Sequence, residues 1–169
     1  MIKNIIRKIL KEIDFITFEK PENIKEWSDN KGYYFQFIIN NYNYIVSFKY
    51  INQILNNIHI KEERARNAIN GSENKYIVSF GILDESGNYF DNVETKNNNT
   101  FYVLKNVFWV IKNFISEKDI DVIGFSSLGT REKIYNDAIK ELSKYYHFHS
   151  FPSEPFKFLI KLDLYNKYA

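Results

Sequence analysis

The sequence predicts an α+β domain: a mainly antiparallel, mixed sheet covered by helices. Two observations lead there. Aromatic and β-branched residues gather in short runs broken by asparagine, glycine or proline, as in YYFQFIINNYNYIVSFKY and HFHSFPSEPFKFLIKLDL, which is the pattern of strands and hairpins. Between such runs lie segments whose apolar residues recur every three or four positions, the period of a helix with one buried face. The elements run helix, hairpin, short helix, hairpin, helix, strand, helix and a closing pair of strands, an order that sets helices on a sheet made largely of hairpins.

Taken in order, Ile2, Ile5, Ile6, Ile9, Leu10 and Ile13 alternate with Lys3, Arg7, Lys8 and Lys11 at helical spacing, so an amphipathic helix over about 2–13 is expected to lie on its own domain. KPENIKEWSDNKG is polar and holds Pro21 and Gly32, and reads as a connection. The two aromatic runs that follow, parted by asparagines, read as a hairpin. IKEERARNAI is a short charged helix closed by Asn70 and Gly71. KYIVSFGILDESGNYFDNV gives a strong strand, a Ser-Gly-Asn turn and a weaker return. Residues 101–115 are apolar on most sides and predict a helix pressed on the sheet, followed by a central strand in DIDVIGFSS. Ile134, Tyr135, Ala138, Ile139 and Leu142 mark one face of another helix, and HFHSF and FKFLIKLDL are the final strands. No internal repeat or linker stands out, and residues 1–169 read as one domain.

Composition narrows the function classes. Basic and acidic residues number 23 and 21, a net +2, too balanced for a field that coats nucleic acid. The absence of cysteine excludes disulfides, thiolate zinc sites and a cysteine nucleophile. MIKNIIRKILKEIDF breaks its isoleucines with charges, which predicts neither a signal peptide nor a membrane span; a soluble, cytoplasmic protein is expected. Asparagine, lysine, isoleucine and tyrosine are abundant together, and their AT-rich codons point to a low-GC bacterium or its phages.

Two resemblances follow from the residues. Val103, Leu104, Val107 and Ile111, then Ile123, Ser126 and Ser127, then Arg131, Ile134 and Tyr135 resemble an uncharacterised family of small bacterial and phage proteins, in which a helix leads to a strand, a small-residue loop, an arginine and a leucine or isoleucine followed by tyrosine. The resemblance implies a site and no reaction. The order strand, helix, strand, helix, two closing strands is similar to that of the acyl-CoA N-acyltransferase superfamily. There a glycine-rich turn before the first of those helices binds the pyrophosphate of the cofactor; this chain has ETKNNNTFYV in that place, without glycine. A side chain on each residue keeps the backbone from approaching phosphates, and no cofactor is expected.

The candidate site is the loop into the helix after DIDVIGFSS. Ser126, Ser127, Thr130 and Arg131 place hydroxyls, helix-start amides and a guanidinium together, a set that suits an anion or a partner's acidic group. Arg131 in a first helical turn is unfavourable without a negative neighbour; the competing reading has it paired with Asp119, Asp121 or Glu132. His147 and His149 lack a third ligand, so no metal is expected, and His59 has no local acid and serine, so no catalytic residue is nominated. Tyr33, Phe35, Tyr42 and Tyr44 would be the stacking residues of a single-stranded nucleic-acid binder. The reading that results is a non-enzymatic interaction or accessory protein, phage-encoded or phage-related, with a protein partner rather than nucleic acid or a membrane. The alternatives are a divergent acyltransferase-like enzyme and a single-stranded nucleic-acid binder.

Overall fold

The computed structural model describes residues 19–51, 62–83, 86, 89–90, 100–126, 148–152 and 156–169. The expected helices at 2–13 and 134–142, and with them Ser127, Thr130, Arg131, His59 and His147, lie outside the described residues. Among those described, strands β1 (Lys25–Asp29), β2 (Gly32–Ile39), β3 (Tyr42–Tyr50), β4 (Lys75–Leu83), β5 (Tyr89–Phe90), β6 (Val122–Ser126), β7 (Phe148–Pro152) and β8 (Phe156–Lys161) form one mixed sheet. Helices α1 (Glu63–Gly71), α2 (Thr100–Lys118) and α3 (Leu162–Lys167) accompany it. The sheet order is β1-β2-β3-β4-β6-β8-β7, with β5 also on β4. The β4–β6 pair is parallel and every other described pair is antiparallel, so the α+β class holds.

Local chemistry explains the turns. Asn40 and Asn41 join β2 to β3 with φ of 49° and 66°, the left-handed pair that a two-residue hairpin loop needs to match strand twist and that asparagine tolerates. The Asp29 carboxylate accepts from the main-chain N–H groups of Lys31 (2.7 Å) and Gly32 (3.1 Å), closing the β1–β2 turn. At Gly32 a Cβ would stand 2.0 Å from the Phe48 carbonyl oxygen, so that contact admits glycine alone.

Alternation along the strands sorts residues onto two faces. One carries Phe35, Phe37, Tyr44, Val46, Phe48, Tyr76, Val78, Phe80, Ile123, Phe125 and Leu159, all buried with Val103, Val107, Ile111 and Phe114 of α2. The Phe114 ring stacks on Phe48 with centroids 3.7 Å apart. The other face holds a smaller cluster of Ile51, Ile77, Val122, Phe158 and Ile160 under Ala65, Ala68 and Ile69 of α1, with Leu164, Tyr165 and Tyr168 packed against it. Arg64 fastens α1 to α3: its Nε donates to the Tyr165 carbonyl at 2.9 Å and its guanidinium lies 3.9 Å from that ring's centroid.

Two stretches differ from their sequence reading. KPENIKEWSDNKG contains β1, a strand exposed at all five residues; with no side facing a core it carries no apolar alternation, and main-chain pairing to β2 defines it. The end of FKFLIKLDL leaves the strand at Leu162 for α3, where Leu164 and Tyr165 meet the second cluster.

Candidate functional site

The site begins where β6 ends. Helix α2 carries the chain from β4 over one face and returns it as β6, parallel to β4 with Lys75 opposite Val122 and Val78 opposite Phe125. Gly124 seats β6 tightly: a Cβ there would meet the Phe158 ring at 2.7 Å and Ile77 at 3.3 Å. Ser126 is the last residue of β6 and pairs with Phe156 of β8. Its backbone therefore lies mid-sheet, at the carboxyl end of the parallel pair, the place where sheets with crossover helices tend to open a crevice for ligands. Of Ser126, Ser127, Thr130 and Arg131, the structure describes Ser126 alone. The two acids on the described part of the chain that could partner Arg131 have other contacts. Asp119 accepts from Lys161 Nζ at 2.7 Å, which lowers the carboxyl's pKa, and Asp121 accepts from the Ser72 hydroxyl at 3.1 Å.

Beside Ser126 the structure brings in residues that the sequence reading passed over. Ser47 of β3 and Ser79 of β4 pair directly, and their hydroxyl oxygens are 2.8 Å apart. Ser47 is 4% exposed. The parallel pairing of β4 with β6 ends at Val78 and Phe125, the residues that precede Ser79 and Ser126 in their strands. A signal was present: YIVSF occurs twice, at 44–48 and 76–80, and the antiparallel ladder crosses the two copies at their serines. Among the described residues these hydroxyls bond each other and the Ser79 carbonyl. As donors and acceptors such hydroxyls can orient a polar group.

Two further polar groups sit at the amino end of β4. Lys75 is 5% exposed and donates to the Ile69 carbonyl at 2.9 Å. Burial lowers its pKa, and the partly negative carbonyl end of α1 holds the amine there. On the opposite face Tyr33, Tyr50 and Tyr76 cluster, with ring centroids 5.2 to 6.1 Å apart. Burial, with the neighbouring phenols, pushes the Tyr76 hydroxyl up to about 12. The hydrogen bond to Tyr33 is the main cause that raises Tyr50, and Lys118 Nζ lies 4.7 Å from the Tyr33 ring centroid.

The four aromatic residues considered for base stacking all belong to the α2 side: Phe35 and Tyr44 are buried in that core, and Tyr33 and Tyr42 are half-buried against it. Elsewhere the exposed Trp27 stacks on the half-buried Tyr34 with centroids 5.4 Å apart. His149 stands in β7 opposite Ile160. Among the described residues no group of three or more His, Cys, Asp or Glu side chains is arranged to hold a metal ion, and no helix is long and apolar enough to cross a membrane. Comparison with protein-family models, curated proteins and solved structures finds no match to this chain.

Proposed function

We propose that this chain is a non-enzymatic interaction or accessory protein, phage-encoded or phage-related, that presents the loop after β6 to a macromolecular partner or an anionic group. The observation that supports this reading is the occupancy of the β4 edge. Since β3 pairs along one side of β4 from Tyr76 to Leu83, β6 and β5 must share the other side. There β6 takes Lys75 to Val78 and β5 takes Ile82 and Leu83. Among the described residues both ends of that side of β4 are thus paired, which leaves no run long enough for an acyl carrier to lie along β4 as an added strand. The preceding loop also lacks the glycines that would let main-chain amides cradle a pyrophosphate. The test is calorimetry of the full chain with acetyl-CoA to about 1 mM, a range that registers millimolar binding. No saturable heat is expected; binding competed by free CoA would rank an enzyme first.

A second reading, a divergent acyl-CoA N-acyltransferase-like enzyme, is favoured by one specific observation. Helix α2 between β4 and a parallel β6, and the antiparallel β7–β8 pair at the end of the chain, agree with part of the succession that the resemblance implies; its second helix lies outside the described residues. Topology hosts many activities, and the occupied edge is the reason for ranking this reading second.

A further inference from the structure

We propose that β1 pairs edge to edge with β1 of a second copy of this chain, antiparallel and centred on Trp27. The inference is independent of the function proposed above. β1 ends the sheet order, and among the described residues it pairs with β2 alone. The direction of its main-chain groups follows from the ladder. The Tyr50 N–H donates to the Lys31 carbonyl at 3.0 Å, so the odd-numbered residues of β2 address β3, and Gly32, Tyr34 and Gln36 address β1. Their partners are Asp29, Trp27 and Lys25. Glu26 and Ser28 therefore turn their N–H and C=O groups outward, where a second strand can reach them.

A two-fold axis at Trp27 sets Glu26 opposite Ser28 of the second copy, the pair of outward-facing residues that exchanges both hydrogen bonds. The same register sets Lys25 opposite Asp29 of the second copy, twice, on the face that also carries Trp27. Opposite charges directly across a pair favour it, and like charges oppose it. The neighbouring registers that keep the hydrogen bonds fail on charge: centring on Glu26 faces that carboxylate with its own copy, and centring on Ser28 faces Lys25 with Lys31. The segment KEWSD is thus self-complementary in one register, and charge excludes the adjacent ones. It contains no proline to block the edge. A contact of five residues per copy is small for a stable interface, so the dimer is weak and concentration-dependent.

Sedimentation of the full chain up to about 1 mM, where millimolar association registers, is expected to show a monomer–dimer equilibrium. Ser28→Pro removes an outward N–H and spares the β2 ladder, so it should keep the melting temperature and stay monomeric. Lys25→Glu should weaken the dimer by about tenfold or more at low salt, with recovery as salt screens the repulsion from Asp29. A wild-type chain monomeric throughout, or a dimer indifferent to Lys25→Glu and salt, overturns the proposal; if Ser28→Pro does not fold, Lys25→Glu decides alone.

Discussion

The two faces of the sheet use the same strands differently. Under α2 lies an unbroken layer of aromatic and aliphatic side chains centred on Phe114, whose ring neighbours Tyr33, Phe35, Phe48 and Tyr76. The opposite face mixes a hydroxyl pair, a buried lysine and a glycine with smaller apolar groups. Both copies of YIVSF contribute to each: tyrosine, valine and phenylalanine go to α2, isoleucine and serine to the other side. The difference separates a face packed by rings from one where polar groups are held by partners within the fold.

The largest blow to that contrast is Phe114→Ala. Removing a fully buried ring from a close-packed layer should cost about 3–5 kcal/mol in urea unfolding. A loss under about 1 kcal/mol would mean that the layer under α2 collapses into the space the ring leaves.

The phenol cluster sharpens the comparison through pH. A tyrosine whose folded pKa is raised contributes stability that is full below the unfolded value near 10 and is lost as pH rises toward about 12, the folded value at Tyr76. The loss at Tyr76 is roughly 2–3 kcal/mol, because each tenfold difference in proton affinity between the folded and unfolded chain is worth about 1.4 kcal/mol. Tyr34, Tyr50 and Tyr165 are raised too and act in the same direction. The buried amine on the other face has the opposite sign: the folded pKa of Lys75 is lowered, so its burial costs stability at low pH, and stability rises as pH climbs from that lowered value to 10.5. Tyr76→Phe should therefore flatten much of the fall above pH 10 while leaving the rise below it. An unchanged fall, measured by denaturant titration across this range, would locate the alkaline sensitivity elsewhere.

The smallest effect concerns the serine pair. Ser47→Ala leaves the half-buried Ser79 hydroxyl without its partner and Ser79→Ala leaves the buried Ser47 hydroxyl without its own; each should cost about 1 kcal/mol, whereas the double variant removes both groups and should cost less than the sum. Strict additivity in that cycle would show that the 2.8 Å contact carries no coupling.

How far these features were legible depends on the distance over which they are decided. Asn40 and Asn41 announced the β2–β3 turn because the left-handed backbone there is a property of two adjacent residues. Helix α2 was readable because Val103, Val107, Ile111 and Phe114 share one face whatever they pack on. β1 was not readable: Lys25, Trp27 and Asp29 have water on the side where a core would impose a pattern. The serine pair spans 32 residues of sequence, and nothing local says that Ser47 will lie opposite Ser79 rather than one register away. At the nominated site, Ser126 is placed at the carboxyl end of β6, and Ser127, Thr130 and Arg131 lie outside the described residues.

By itself the sequence determined the α+β class, the strand-forming runs and the periodicity of α1 and α2, because propensity, turn chemistry and hydrophobic period act within a few residues. Only the tertiary structure decided that β6 enters beside β4 in parallel, that β5 pairs with Ile82 and Leu83 of the same strand, that Lys75 reaches the carbonyl end of α1, and that β1 stands at the sheet's rim with Glu26 and Ser28 facing outward. These depend on pairings between segments far apart in the chain, where a shift of one residue exchanges the two faces of a strand and so changes which groups are buried together.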